Sequence, residues 1–258
     1  MTFQKEQAPT EYARRIAEMG FVALVFDPRY RGESSGEPRC WENPMAKVED
    51  VSSAVDFLVT RPEVDRSRIA GLAICQGSSE MLRAAADDSR IRVFATVAGH
   101  YRDPEGDIAW LTEDGYKAHL ERAELAAEKY RTTGEADYVP AVDKTRTDVG
   151  MPSELVWSWY HVWADKGLWE NRYAVMSDVD LLKYESISAA ERLKTPWLMV
   201  HCDQCFLPDA AKRHFEAAVN GEKQMEWEGD TGHLRFYDDE VVIAPTVKKI
   251  ADWFQNHL

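Results

Sequence analysis

Apolar residues follow two alternating patterns along the chain. Short apolar runs at 21–26, 69–74, 93–98 and 197–200 have the length and composition of strands buried on both faces, and 224–227 reads as a final strand. Between them the apolar positions take helical spacing. Tyr12, Ile16 and Met19 form one such face, closed by Gly20. Val48, Val51, Val55 and Leu58 form another, opened by Asn43-Pro44 as N-cap and first helical residue. Met81, Leu82, Ala85 and Ala86 follow the second run, helices are expected over 187–193 and 208–219, and Val247, Ile250, Ala251 and Phe254 face inward from the last helix. Strands alternating with helices imply right-handed crossovers and a mainly parallel sheet flanked by helices, so the fold class is α/β.

The alternation breaks between about 101 and 185. No clear strand occurs there, helical stretches such as 118–130 alternate with Gly and Pro breaks, and five tryptophans (Trp110, Trp157, Trp159, Trp163 and Trp169) fall within it. The expected organisation is therefore a core formed by 1–100 and 186–258, interrupted by a helical insertion over 101–185.

The stretch from Ser67 to Met81 carries the chemistry. An unbroken apolar strand ends at Cys75, small residues Ala73 and Gly77 flank it two positions away on each side, and Ser78 can cap the helix that follows. Strand, sharp turn and helix with a nucleophile at the turn is the arrangement of a nucleophile elbow. Cys75 would stand near a helix N-terminus, where backbone N–H groups favour its thiolate. Two later loops supply partners. His201-Cys202-Asp203-Gln204-Cys205 follows one strand, and Gly229-Asp230-Thr231-Gly232-His233 follows the last.

In these segments the chain resembles the α/β-hydrolase superfamily, and within it the dienelactone-hydrolase-like members with a cysteine nucleophile. Ala73-Ile74-Cys75-Gln76-Gly77 stands where the family has G-x-S-x-G, and the loop after Asp27, Pro28-Arg29-Tyr30-Arg31-Gly32-Glu33-Ser34, is similar to its D-x-x-G-x-G-x-S loop. Asp27 itself reads as a carboxylate that holds this turn. The resemblance implies a catalytic triad of Cys75, His233 and Asp203, with Asp209 and Asp103 as rival acids. It implies an oxyanion hole from the N–H of Gln76 and a second N–H near Phe3 or Gln4, and a helical cap in the insertion. Tyr30 reads either as a residue reaching the site mouth or as a surface tyrosine, and His100, Tyr101 and Asp103 stand at the end of a strand, where ligands bind in such sheets. The implied activity is cleavage of a carboxylic ester, lactone or thioester through an acyl-enzyme, with a small-molecule acyl substrate and no cofactor. An acyltransferase would share that intermediate.

The family fold also has three strands ahead of the helix near Lys5, whereas only four residues precede Lys5 here. The expectation is that these N-terminal strands are missing and that Met1 is an internal start. The gap beside 69–74 would then be closed by direct pairing, by water or by another chain, for which a homodimer is one arrangement.

Charge and composition narrow the class. A formal net charge of −14 argues against nucleic acid or an anionic membrane as partner. No run approaches membrane-spanning length, the first residues lack a signal-peptide core, and the four cysteines have no disulfide framework. These features read as a soluble cytoplasmic protein with reduced thiols. Three other readings stay open: a Cys202-x-x-Cys205 redox protein, a zinc site drawing on Cys202, Cys205, His201 and His214, and a hydrolase-like binding module without catalysis.

Overall fold

The structure is a computed structural model and describes residues 2–258. In chain order its elements are α1 (Ala8–Glu18), α2 (Pro44–Leu58), β1 (Ile69–Ile74), α3 (Gly77–Asp87), β2 (Ile91–Val97), α4 (Pro104–Leu111), α5 (Glu113–Thr133), α6 (Glu154–Asp165), α7 (Ser177–Lys183), α8 (Ile187–Arg192), β3 (Trp197–His201), α9 (Pro208–Ala217), β4 (Lys223–Trp227), α10 (Arg235–Asp238) and α11 (Glu240–His257). Two-residue ladders between 138 and 174 add short antiparallel and parallel bridges. Among the described residues no helix is long and apolar enough to cross a membrane.

The chain forms two compact units. One comprises 8–25, 45–106 and 185–258, and contains the main sheet. Its four strands run parallel in the order β1, β2, β3, β4. Apolar residues of these strands and of α2, α3 and α8 make one core around Leu82, Phe94 and Trp197. The Trp197 ring stacks on Phe94 at 5.6 Å, and its indole N–H donates to Thr96 Oγ1 at 2.8 Å. Burying a ring of this size requires a partner for its one polar atom, and the Thr96 hydroxyl provides it.

The other unit comprises, of the described residues, 2–7, 26–44 and 107–184. Of the insertion expected over 101–185, residues 107–184 lie in one body with the N-terminal segment and the loop after Asp27, a grouping that no periodicity announces, while 101–106 and 185 belong to the unit that contains the sheet. The buried Arg31–Glu42 pair, 3.1 Å apart, ties part of that loop together. Phe3 packs on Tyr160 and edge-on to Trp159, and the Trp169 indole donates to the Thr2 carbonyl at 2.8 Å. Trp159 and Trp169 are core residues of this unit.

Residues 21–26 do not form the expected strand. Val22, Leu24 and Phe26 are 53%, 37% and 38% exposed, and the segment pairs with no strand. Among the described residues β1 is an edge strand with β2 as its only neighbour. An apolar run becomes a strand only where a ladder takes up its N–H and C=O groups, and none reaches 21–26.

Asp27 holds its turn as expected. Its carboxylate accepts from the Lys5 N–H and Nζ, both at 2.8 Å, and from the Glu33 N–H at 3.0 Å. Gly32 has φ +51°, and a Cβ there would overlap the Asp27 carboxylate. Gly32→Ala should therefore destabilise the protein by about 2–4 kcal/mol, through backbone strain and displacement of that carboxylate. A urea melt with an unchanged midpoint would show that the turn has no such constraint.

Candidate active site

β1 is hydrophobic because both its faces are covered, and it ends where the chain must reverse into α3. The reversal occurs at Cys75, whose φ of +55° lies in the left-handed region that a residue with a Cβ rarely adopts. Three backbone hydrogen bonds hold it there. The Cys75 N–H donates to the Val97 carbonyl at 3.0 Å, and its carbonyl accepts from Ser78 N–H at 3.0 Å and His100 N–H at 2.9 Å. The elbow is thus stitched to the end of β2. Gln76, not Ser78, occupies the N-cap of α3, and Ser78 lies inside the first turn.

The small flanking residues face each other across this turn. A Cβ on Gly77 would meet the Ala73 Cβ at 3.8 Å, an ordinary contact, so only bulk beyond a methyl group is excluded. The tighter requirement is at Gly71, where a Cβ would come within 2.5 Å of Met81 Sδ and 3.3 Å of Phe94 Cβ. That is where α3 rests on the strand.

Cys75 is buried and hydrogen-bonded by the side chains of His233 and Tyr237. Burial works against its thiolate, the hydrogen bonds from these two side chains favour it, and the net shift puts the Cys75 pKa below the ordinary thiol range. His233 Nε2 lies 2.7 Å from the Tyr237 hydroxyl. Its Nδ1 accepts from the backbone N–H of Phe206 at 3.3 Å. An N–H donor at Nδ1 selects the tautomer with the ring proton on Nε2, facing Cys75 and Tyr237. Tyr237 and the Phe206 N–H are partners of His233 that the sequence reading does not contain. Tyr237 stands four residues after His233, a spacing that returns to the same face within one helical turn, and this was the available signal.

Among the described residues no carboxylate hydrogen-bonds His233. Asp203 has its N–H on the Gly229 carbonyl at 2.9 Å, which turns its side chain outward, and its Oδ1 accepts from the Trp227 indole at 3.0 Å. Asp103 is clamped by Arg213 at 2.9 and 3.1 Å and by the Gly106 N–H at 2.6 Å. Burial opposes the Asp103 carboxylate, but Arg213 keeps its pKa below the usual range. Asp209 is exposed. The expected Asp203–His233 hydrogen bond is therefore not formed, because the turn through 202–205 directs that carboxylate onto Trp227.

The other expected site residues divide. The Gln76 N–H has no partner among the described residues, as an oxyanion donor requires. Its side chain is buried and holds the turn, donating to Glu80 Oε1 at 3.0 Å and accepting from Arg102 Nε at 3.4 Å. Burial pushes the Glu80 carboxyl pKa up. His100 contributes its N–H to the elbow and its ring edge to Phe206 at 4.6 Å, and burial pushes its pKa well down, so the imidazole is neutral. Tyr101 points into the core instead, its hydroxyl on Thr96 Oγ1 at 2.6 Å and its ring against Trp197. Phe3, Gln4 and Tyr30 belong to the other unit. The Gln4 N–H is engaged by Gln7 Oε1 at 2.9 Å, so it is not available to an oxyanion. Tyr30 packs on Trp41 at 4.9 Å, in a loop closed by the Cys40 N–H on its carbonyl.

The residues considered for zinc are engaged otherwise. His201 contacts the Cys202 and Gly99 carbonyls, and His214 contacts Ser186 and the Ala210 carbonyl. Among the described residues no group of three or more His, Cys, Asp or Glu is arranged to hold a metal ion.

No family model matches the chain. The uncharacterized protein YcjY of Escherichia coli strain K12 is 28% identical over 98% of this chain and 85% of its own length. The thiohydrolase apmlB of Arthrinium phaeospermum is 40% identical over 87 residues, 34% of this chain and 28% of that protein. The crystal structure of the α/β hydrolase GrgF from a Penicillium species superposes with a TM-score of 0.77 at 24% identity, over 96% of this chain and 84% of that one. Parallel strand order, the positive-φ elbow after β1 and this superposition agree: the chain has the α/β-hydrolase fold.

Proposed function

We propose that the protein cleaves an activated acyl compound, with a thioester as the best-suited substrate, through an acyl-enzyme on Cys75. The observation that carries this reading is the buried Cys75 at positive φ, hydrogen-bonded by His233 and Tyr237. The Cys75 thiolate attacks the carbonyl carbon, the oxyanion gathers at the Gln76 N–H, and the leaving group departs as the C–S bond breaks. A thiolate leaving group has a conjugate-acid pKa of about 8.5, so it departs without prior protonation. An alkoxide needs an acid, and a protonated His233 would have to place a second N–H at Nδ1, where the Phe206 N–H already points. This argument favours thioesters over alkyl esters and lactones. It agrees with the name of the thiohydrolase relative.

Deacylation asks more of His233. To take a proton from water at Nε2, the ring must carry its own proton at Nδ1 and release the long Phe206 contact. The acyl-enzyme is then the slow species, and an acceptor other than water can compete for it, which makes an acyltransferase the second reading.

Three outcomes are expected. Brief exposure to short acyl thioesters should give an acylated mass localised to Cys75, accumulating faster than it decays. Adding N-acetylcysteamine should accelerate that decay if transfer competes with hydrolysis. No increment at Cys75 with thioesters or aryl esters overturns the acyl-enzyme.

His233→Ala should lower acylation by a factor on the order of hundreds, Tyr237→Phe by about tenfold, and Asp203→Asn by less than either. A collapse in Asp203→Asn matching that of His233→Ala would restore the carboxylate to the imidazole.

Alkylation by iodoacetamide reads the thiolates directly. Cys75 should react near neutral pH and lose reactivity as pH falls through its lowered pKa. Cys40, whose thiol pKa burial pushes up, should respond only toward alkaline pH. Parallel pH profiles for the two cysteines would remove the basis for an activated nucleophile.

A further inference from the structure

The Cys202–Cys205 pair takes no part in this chemistry, yet it sits between the two loops that position His233. The two sulfurs are 3.0 Å apart, both side chains are buried, and neither cysteine is in a disulfide. The Cys205 N–H donates to the Cys202 carbonyl at 3.3 Å, closing a tight turn that leads directly into Phe206. Cys202 Sγ donates to the Thr231 carbonyl at 2.6 Å, two residues before His233. One thiol pair therefore touches both supports of the imidazole: the loop that carries it, and the turn whose Phe206 N–H meets its Nδ1.

We propose that Cys202 and Cys205 are a modification site: they form a reversible intramolecular disulfide by exchange with a small disulfide such as oxidised glutathione, and this displaces His233 from Cys75. The proposal takes Cys75–His233 as the reacting pair, as argued above. In the exchange the Cys202 thiolate attacks a sulfur of the small disulfide and releases one equivalent of its thiol. Cys205 then attacks Cys202 of the mixed disulfide, gives up its proton and releases the second equivalent. Two protein thiols are oxidised, and one small disulfide is reduced to two thiols. The thiol of Cys205, hydrogen-bonded to Cys202, lowers the Cys202 pKa and so favours it as the first attacker.

Two local changes follow from closure. The sulfurs must approach from 3.0 Å to the bonded distance, which draws Cys205 and the adjoining Phe206 N–H. A disulfide bond is about 2.0 Å long, so the required shift is on the order of 1 Å. Cys202 also loses the S–H that donates to the Thr231 carbonyl. That loop keeps the Asp203 N–H to the Gly229 carbonyl at 2.9 Å, the Thr231 N–H to the Glu228 carbonyl at 3.3 Å and the Thr231 hydroxyl to the same carbonyl at 3.0 Å. The 3.3 Å Phe206–His233 contact has little length to spare.

The test separates disulfide formation from catalysis. Full-length Cys75→Ala protein is equilibrated with oxidised glutathione, digested, and followed by the imidazole resonances of His233. The expected result is a loss of two hydrogens from the peptide containing Cys202 and Cys205, reversed by dithiothreitol, together with a shift of the His233 signals. In otherwise wild-type protein the same treatment, after removal of oxidant and of any mixed disulfide at Cys75, should slow iodoacetamide labelling of Cys75 at least tenfold. Cys202→Ser keeps a hydroxyl donor for Thr231 and should be insensitive to the oxidant in both readouts. Thiols that stay reduced at high ratios of oxidised to reduced glutathione overturn the site. A disulfide that forms with the His233 signals unmoved overturns its coupling to Cys75. Failure of Cys75 to acylate in the reduced protein would instead count against the acyl-enzyme, and would leave the disulfide result standing.

Discussion

Cys75 must end a buried strand, begin a helix and present a sulfur, all within one residue. Only a left-handed backbone conformation meets these demands, and a residue with a Cβ holds it at a cost of order 1 kcal/mol or more. The surrounding structure offsets that cost locally. Val97, Ser78 and His100 hydrogen-bond the Cys75 peptide groups, so the elbow is fixed to the end of β2 as well as to α3. Gly71 lets α3 lie on β1, and the Ala73–Gly77 pair leaves the turn room to close.

Behind the elbow lies a buried polar layer. The Ser79 hydroxyl meets the His100 carbonyl, the Arg102 N–H and Ser186; Ser186 meets His214; His214 lies near Asp103, which Arg213 clamps. Ser79, Ser186 and His214 are fully buried. The effect of the layer is to hold the loop after β2, and that loop supplies the His100 N–H to the Cys75 carbonyl. Burial pushes the His214 pKa down, which keeps this layer free of an added buried charge.

The histidine is held in another way. His233 sits on a loop between β4 and a single helical turn, with contacts from Phe206 and Tyr237 and no carboxylate. A neutral donor at Nδ1 orients the ring but does not stabilise an imidazolium as a carboxylate does. The resting arrangement therefore favours a ready thiolate over a strong proton donor. In the proposed reading, that balance links the thioester preference, the slow deacylation and the coupling of the site to the turn at 202–206.

Much of this could be read from the chain alone, because it is local. The runs at 69–74 and 197–200 announce strands through continuous apolar character, and the elbow announces itself through small residues at fixed offsets from Cys75. Asp27 was legible as a turn residue because one of its partners, the Glu33 N–H, lies within its own loop, whereas its partner Lys5, on the far side of α1, was not. Tertiary structure decided what depends on side-chain direction and on neighbours remote in sequence. The run at 21–26 has strand composition but no ladder, so its apolar residues stay exposed. Asp203 stands on the expected loop, yet a backbone bond to Gly229 turns it to Trp227. Tyr101 follows a strand end as site residues do, yet Thr96 and Trp197 draw it into the core. Composition and spacing place a residue on an element; which way its side chain points is set by the hydrogen bonds and packing that the assembled fold makes available.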